Sequence, residues 1–157
     1  MPVVILLIVV LALAAVAGLT VGIRRAASCR RITDTPAGEL TRSFTGDVMC
    51  RSAITSGGLA RLEFFDWGVR LRGVAVSRWL VPTWEARYDE LGLAELVKLR
   101  FSRIAVWLRV RGEPGGIGFL TYFSQDILRE LAARHVQVNR AVAEVRSTAE
   151  LYARSSQ

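Results

Sequence analysis

Histidine, lysine and asparagine are almost missing from this sequence: His135, Lys98 and Asn139 are each the only one of their kind among 157 residues. One histidine and two cysteines, Cys29 and Cys50, do not make a metal-ligand spacing, so no metal and no cofactor is expected. The same scarcity removes the usual general base. His135 has no serine or cysteine partner in its neighbourhood of sequence and reads as a surface or helix-end residue. Gly112–Gly118 is rich in glycine, but no Lys-Ser/Thr follows and a strand pattern follows in place of a helix, so it reads as a turn and not a phosphate loop. Glu85, Asp89 and Glu90 lie beside Arg87 and read as salt-bridged surface carboxylates. With no catalytic constellation, the chain is expected not to be an enzyme. Its two thiols are able to pair in an oxidising compartment; two reduced cytosolic thiols is the simpler expectation.

What the sequence does have is one long apolar run. Val3 to Ile23 carries no charge and, apart from Thr20, no strongly polar side chain. As a helix it would span roughly 31 Å, against a hydrocarbon core of about 30 Å. Gly18 and Gly22 have the small-xxx-small spacing that sometimes pairs helices; ordinary lipid-facing residues is the plainer reading. A cleavable signal peptide ending at Ala15-Val16-Ala17 would need a basic start, and a lipobox at Ala26–Cys29 would not follow arginines. Positive charge comes after the run, at Arg24, Arg25, Arg30 and Arg31. The positive-inside bias then puts the N-terminus outside and the rest in the cytoplasm, with those four arginines beside anionic headgroups. The expectation is a single-pass plasma-membrane protein: anchor over 1–25, juxtamembrane linker over 26–43. A net charge of +7 in a chain that is 52% hydrophobic fits such an anchored domain better than a free nucleic-acid binder.

From Phe44 the pattern turns to short strands. A first strand is expected within Phe44–Ile54, followed by a turn at Ser56-Gly57-Gly58. Ala60–Phe65 and Val69–Arg72 alternate apolar and charged residues around Asp66-Trp67-Gly68, a hairpin signal. Val81–Tyr88, less regular and with Pro82 suited to a strand start or edge, Glu95–Arg100, Ile104–Val110 and Ile117–Phe123 are further strands, with Ile104, Val106, Leu108 and Val110 on one face. The period then changes: Ser124 is the expected N-cap of a helix whose Ile127, Leu128 and Leu131 recur at helical spacing. No glycine or proline follows Gly118, so the helix is expected to run towards Ala153, and Val138, Val142, Val145, Ala149 and Tyr152 have the spacing of a short helical seam. That seam fits a partner helix or a longer capping helix equally well.

Among candidate contact residues, Arg70, Arg72, Arg100, Arg103 and Arg109 alternate with apolar residues on strands or at their ends. If they converge, they make a basic face for an anionic lipid or an acidic partner; a solvated sheet face is the alternative. No aromatic stacking motif accompanies the charge, so nucleic acid is not an expected partner. Trp84 and Trp107 are expected to fill the core, and Trp79 lies in a loop.

The hairpin around Asp66-Trp67-Gly68, the Trp84–Asp89 run and Phe119–His135 together resemble the small bacterial membrane-anchored proteins with a pleckstrin-homology-like or GRAM-like domain. The resemblance covers roughly 44–138 and leaves 139–157 as a helical extension. It implies a mainly β fold, a seven-strand partly open barrel capped by a C-terminal helix, behind the N-terminal transmembrane helix. It also implies a non-enzymatic binding or scaffolding module at the cytoplasmic face, touching the lipid bilayer, an anionic lipid or a membrane protein. An accessory subunit of a larger integral-membrane complex is the alternative. The phosphoinositide pattern of such domains is not carried over, because no basic motif joins the first two strands here.

Overall fold

The computed structural model describes residues 4–14, 16, 29–34, 37–50, 53–54, 58–74, 77–78, 81–99 and 104–154. Two runs of alternating residues around Asp66-Trp67 form the first hairpin. β3 (Ala60–Phe65) and β4 (Gly68–Gly73) pair antiparallel, with Leu62 opposite Leu71 and Phe64 opposite Val69. Those four side chains are fully buried, and the charged residues between them project to the other face. β5 (Trp84–Arg87) extends this meander beyond β4.

β1 (Leu40–Cys50) serves two partners. Its first half pairs with β3 as far as Gly46 opposite Ala60. From Asp47, opposite Leu120, it pairs with β8 (Ile117–Leu120) instead. Gly46 stands at this hand-over, where a Cβ would lie 2.3 Å from the Leu120 carbonyl oxygen and 2.8 Å from the Phe119 ring, so only glycine fits. β2 (Ala53–Ile54) folds back on the end of β1. β6 (Leu91–Leu99), β7 (Ile104–Val110) and β8 make the second meander. The strand order is β5-β4-β3-β1-β8-β7-β6-β9, where β9 (Val138–Val145) lies parallel to β6.

α2 (Ser124–Ala133) connects β8 to β9 and buries Ile127, Leu128 and Leu131 completely in the main core, each contributing about 1.5–3 kcal/mol. Ile104, Val106, Leu108 and Val110 of β7 face that same core, as their alternation predicts. The opposite face of β7 is apolar too. Ala105 and Trp107 join Met49, Val97, Leu120 and Val145 in a second cluster closed by Leu151 of α3 (Thr148–Arg154). Tyr152 meets the Trp107 ring edge-on at 5.5 Å. Trp84 therefore fills the main core and Trp107 the second one; Trp79 lies outside the described residues.

Several expectations are corrected. Ser124 is not the N-cap of α2: Phe123 holds that position, without a side-chain cap bond. The helix does not continue towards Ala153. It ends in a Schellman turn, in which Val136 N–H donates to Leu131 O and His135 N–H to Ala132 O. His135 sits there at φ 61°, the left-handed conformation that a glycine usually supplies. The valines of the expected seam form β9, because β-branched residues suit a strand and the free edge of β6 offers them backbone partners.

The membrane anchor is corrected as well. Residues 4–14 form helix α1, exposed throughout. Among the described residues, no helix is long and apolar enough to cross a membrane. The single-pass transmembrane helix is therefore not supported, nor is the plasma-membrane placement with its outside N-terminus and cytoplasmic domain. Residues 3, 15 and 17–23 of the expected span lie outside the described residues. The fold class keeps its mainly β character, but as an open path of eight strands that continues past the helix.

Candidate functional site

Among the described residues, the arginines singled out on the strands, Arg70, Arg72 and Arg109, are each paired with a glutamate. Arg70 lies directly across from Glu85 on β5 and its Nε donates to that carboxylate at 2.6 Å. Its guanidinium also rests over the rings of Phe65, at 4.9 Å, and Trp67, at 5.8 Å, which are stacked on each other. Arg72 faces Arg61 across the β3–β4 ladder, and the repulsion is relieved diagonally: Arg72 donates two bonds, 2.9 and 2.6 Å, to Glu63. Arg109 on β7 bonds Glu95 on β6 at 2.7 Å, a second diagonal pair on a different part of the sheet. Glu63, Glu85 and Glu95 are all buried, so each arginine serves first to neutralise a carboxylate that the sheet has taken out of water. Arg100 and Arg103 lie outside the described residues, as do Arg24 and Arg25.

Of the four arginines expected at a membrane surface, Arg30 and Arg31 lie among the described residues, and Arg31 is bound to the sheet. It forms a parallel bridge with Trp84 on the edge strand β5. Its N–H donates to Thr83 O at 3.1 Å, and Glu85 N–H donates to Arg31 O at 2.9 Å. Arg31 thus bridges to the edge of β5 at one residue, and residues 29–33 form a strap beside it. Its guanidinium donates to Glu90 at 3.2 Å, to Glu113 at 3.0 Å and to the Glu85 carbonyl oxygen. Thr33 N–H donates to the Glu85 carboxylate at 3.2 Å, so Glu85 ties this strap to Arg70 as well. Burial works against the Arg31 charge, yet the bonds it donates to Glu90 and Glu113 outweigh burial and hold its pKa above the ordinary value. Glu90 is held below its ordinary value, against burial, by the Arg87 N–H and by Arg31.

The strap is also fixed covalently. Cys29 is disulfide-bonded to Cys50 at the end of β1, with the Cα atoms 6.5 Å apart. Two reduced thiols was the simpler expectation; 21 residues apart in sequence, they gave no sign that the start of the strap returns to the end of β1.

Beside the strap opens a cleft of about 160 Å³. Cys29, Arg30 and Arg31 form one wall, and the Glu113–Ile117 turn with Tyr152 forms the other, over Trp84 and Val110. Arg30 is exposed at its mouth. The Tyr152 hydroxyl donates to Gly116 O at 2.9 Å, and its ring occupies the space that a Cβ on Gly115 would need. Gly115 has φ 97°, so glycine is required there twice over. Sequence pattern marked this turn but not its role, since the strap and α3 that complete the cleft are distant in the chain. Among the described residues, no group of three or more histidines, cysteines or carboxylates is arranged to hold a metal ion. Compared with known proteins, the chain matches no family model and no curated protein.

Proposed function

We propose that the chain is a non-enzymatic binding or scaffolding module, of the pleckstrin-homology-like kind its strand order resembles, and that it docks a short extended segment of a protein partner at the cleft beside β5. The observation that carries this reading is the size and make-up of the cleft. Pockets for small-molecule ligands run from about 300 to 1,000 Å³. A cleft of about 160 Å³ admits one or two side chains. Its walls suit a peptide: the Trp84 and Tyr152 rings, the backbone of Gly115 and Gly116, and both signs of charge at Arg30 and Glu113. Edge strands bind peptides by adding a strand, with backbone bonds for affinity and neighbouring pockets for side-chain choice. β5 already accepts one such segment, from its own chain.

Titration with a library of short extended peptides tests this, followed through the amide resonances of Gly115, Gly116 and Ile117. A binding peptide should shift those resonances and lose affinity at least tenfold against Arg30→Glu, which alters only the mouth of the cleft. Binding that leaves them unmoved, or that ignores Arg30→Glu, would sink the assignment. A second reading, an accessory subunit of a larger assembly, is favoured by β9, which ends the sheet with Asn139–Val142 exposed. Co-purification with one partner at constant stoichiometry supports it, whereas a chain recovered free and monomeric from its own cells argues against it.

A further inference from the structure

We infer that the outer side of the strap is the edge a partner pairs with. Its occupant is an extended protein segment that sets an apolar side chain in the cleft, an acidic one beside Arg30 and a second apolar one beside Ile32. The inference rests on the docking reading above and names the chemistry of its partner. The strap is a fixed part of the sheet. The Cys29–Cys50 disulfide joins it to β1. The Arg31 backbone is bonded to Thr83 and Glu85, and its guanidinium to Glu113 and, in a part-buried pair, to Glu90. Thr33 donates its N–H and its hydroxyl to the buried Glu85 carboxylate, at 3.2 and 3.3 Å. These bonds keep the wall of the cleft in place, so a partner meets a template that is already ordered.

Peptide geometry decides which groups that template offers. Both backbone groups of Arg31 point at β5. A trans peptide unit sets its C=O and N–H on opposite sides, and among the described residues no peptide is cis. Arg30 C=O and Ile32 N–H therefore point away from β5, and among the described residues neither has a backbone partner. An extended segment that donates one N–H to Arg30 O and accepts the Ile32 N–H completes both. Side-chain placement follows from the same bridge. Arg31 and Trp84 lie opposite each other and share one face. The incoming residue beside Arg31 shares that face, and its side chain turns to the cleft floor of Trp84, Val110 and Ile117. That floor calls for an apolar group of about the size of leucine. The two flanking residues project the other way, beside Arg30 and Ile32, which are both exposed. Among the described residues no carboxylate pairs with Arg30, and Glu90 and Glu113 are engaged by Arg31. The flank at Arg30 therefore suits an acidic side chain, and the flank at Ile32 an apolar one.

The test titrates the whole oxidised chain with short synthetic peptides whose centre reads aspartate, leucine, valine, or the reverse. Asparagine and lysine counterparts at the aspartate complete the set. One of the two orders should bind, shift the Gly115–Ile117 amides and slow hydrogen exchange at the Ile32 amide at least tenfold. Replacing its aspartate by lysine should cost at least tenfold in affinity. Arg30→Glu should reverse that preference by a similar factor, and the unaltered chain with the asparagine peptide measures the same contact without a substitution. A peptide that shifts Gly115–Ile117 but leaves Ile32 exchange unchanged, or binds equally with aspartate, asparagine and lysine, overturns this inference and leaves the docking reading standing. A chain that dimerises alone and protects Ile32 without peptide overturns it in favour of a second copy. If no peptide of this set or of a random library moves the cleft amides, both readings fall.

Discussion

Glu63 is 2% exposed, and its partner Arg72 is far more open to water. That asymmetry makes the two halves of one ion pair unequal. Arg72→Ala strands a carboxylate that the sheet has already desolvated, at about 2–3 kcal/mol. Glu63→Gln leaves a guanidinium that can turn to solvent, at about 1 kcal/mol or less. Urea denaturation of the two variants should show the arginine substitution as clearly the worse, and equal losses would mean that burial does not set the energy. The same residues mark a limit of reading a sequence alone. The alternation of charged and apolar residues in Ala60–Phe65 and Val69–Arg72 shows that the arginines face away from the core. It does not show that Glu63 and Glu85 lie across from them, because cross-strand register is a property of pairs of strands.

At the scale of elements, what the sequence made legible were the segments whose periodicity and turn chemistry agree. The β3–β4 hairpin, β7 and the apolar face of α2 are of this kind. The end of α2 was hidden because its stop signal is a histidine in a glycine's position. His135→Gly removes the cost of holding a side chain at φ 61°. The variant should gain about 0.5–1 kcal/mol in thermal or urea unfolding, with α2 unchanged in length. No gain would mean that the His135 side chain offsets its own backbone cost. β9 was hidden for a different reason. Its valines satisfy a helical spacing as well as a strand, and only the free edge of β6 decides between them. β9 is also an edge that defends itself: its pairing with β6 slips between Asn139 and Val142, and Arg140 is exposed there. A slipped, charged edge is a poor template for further strands.

For the whole molecule, the titrating groups that depart from their ordinary values set both pH limits. Bonds from Arg134 and Arg42 hold the Glu130 carboxyl below its ordinary value against burial, and Glu90 is lowered as well. Their contribution is present above the ordinary carboxylate range and is lost as pH falls through the depressed folded values. Tyr88 works at the other limit. Burial pushes its phenol from 10 up to about 12, while its hydroxyl donates to Phe65 O at 2.7 Å. The unfolded chain ionises first, so stability declines as pH rises from 10 through 12. Chemical denaturation across pH should show both limbs; Glu130→Gln should flatten the acid limb and Tyr88→Phe the alkaline one. A Tyr88→Phe profile parallel to the natural one would remove Tyr88 as the cause.

The double partnership of β1 has a consequence for how the molecule comes apart. A sheet whose halves met only through side chains could lose one half and keep the other. Here the meander holding Trp84 and the meander holding Trp107 are hydrogen-bonded to the same eleven residues, so neither can close its ladder without β1. Local openings at either end must stop at that strand, and passing it exposes both halves at once. Unfolding followed separately through Trp84 and Trp107, each kept while the other indoles are replaced, should trace one coincident transition. β1 makes the two meanders a single cooperative unit, and a chain nicked within it should lose both.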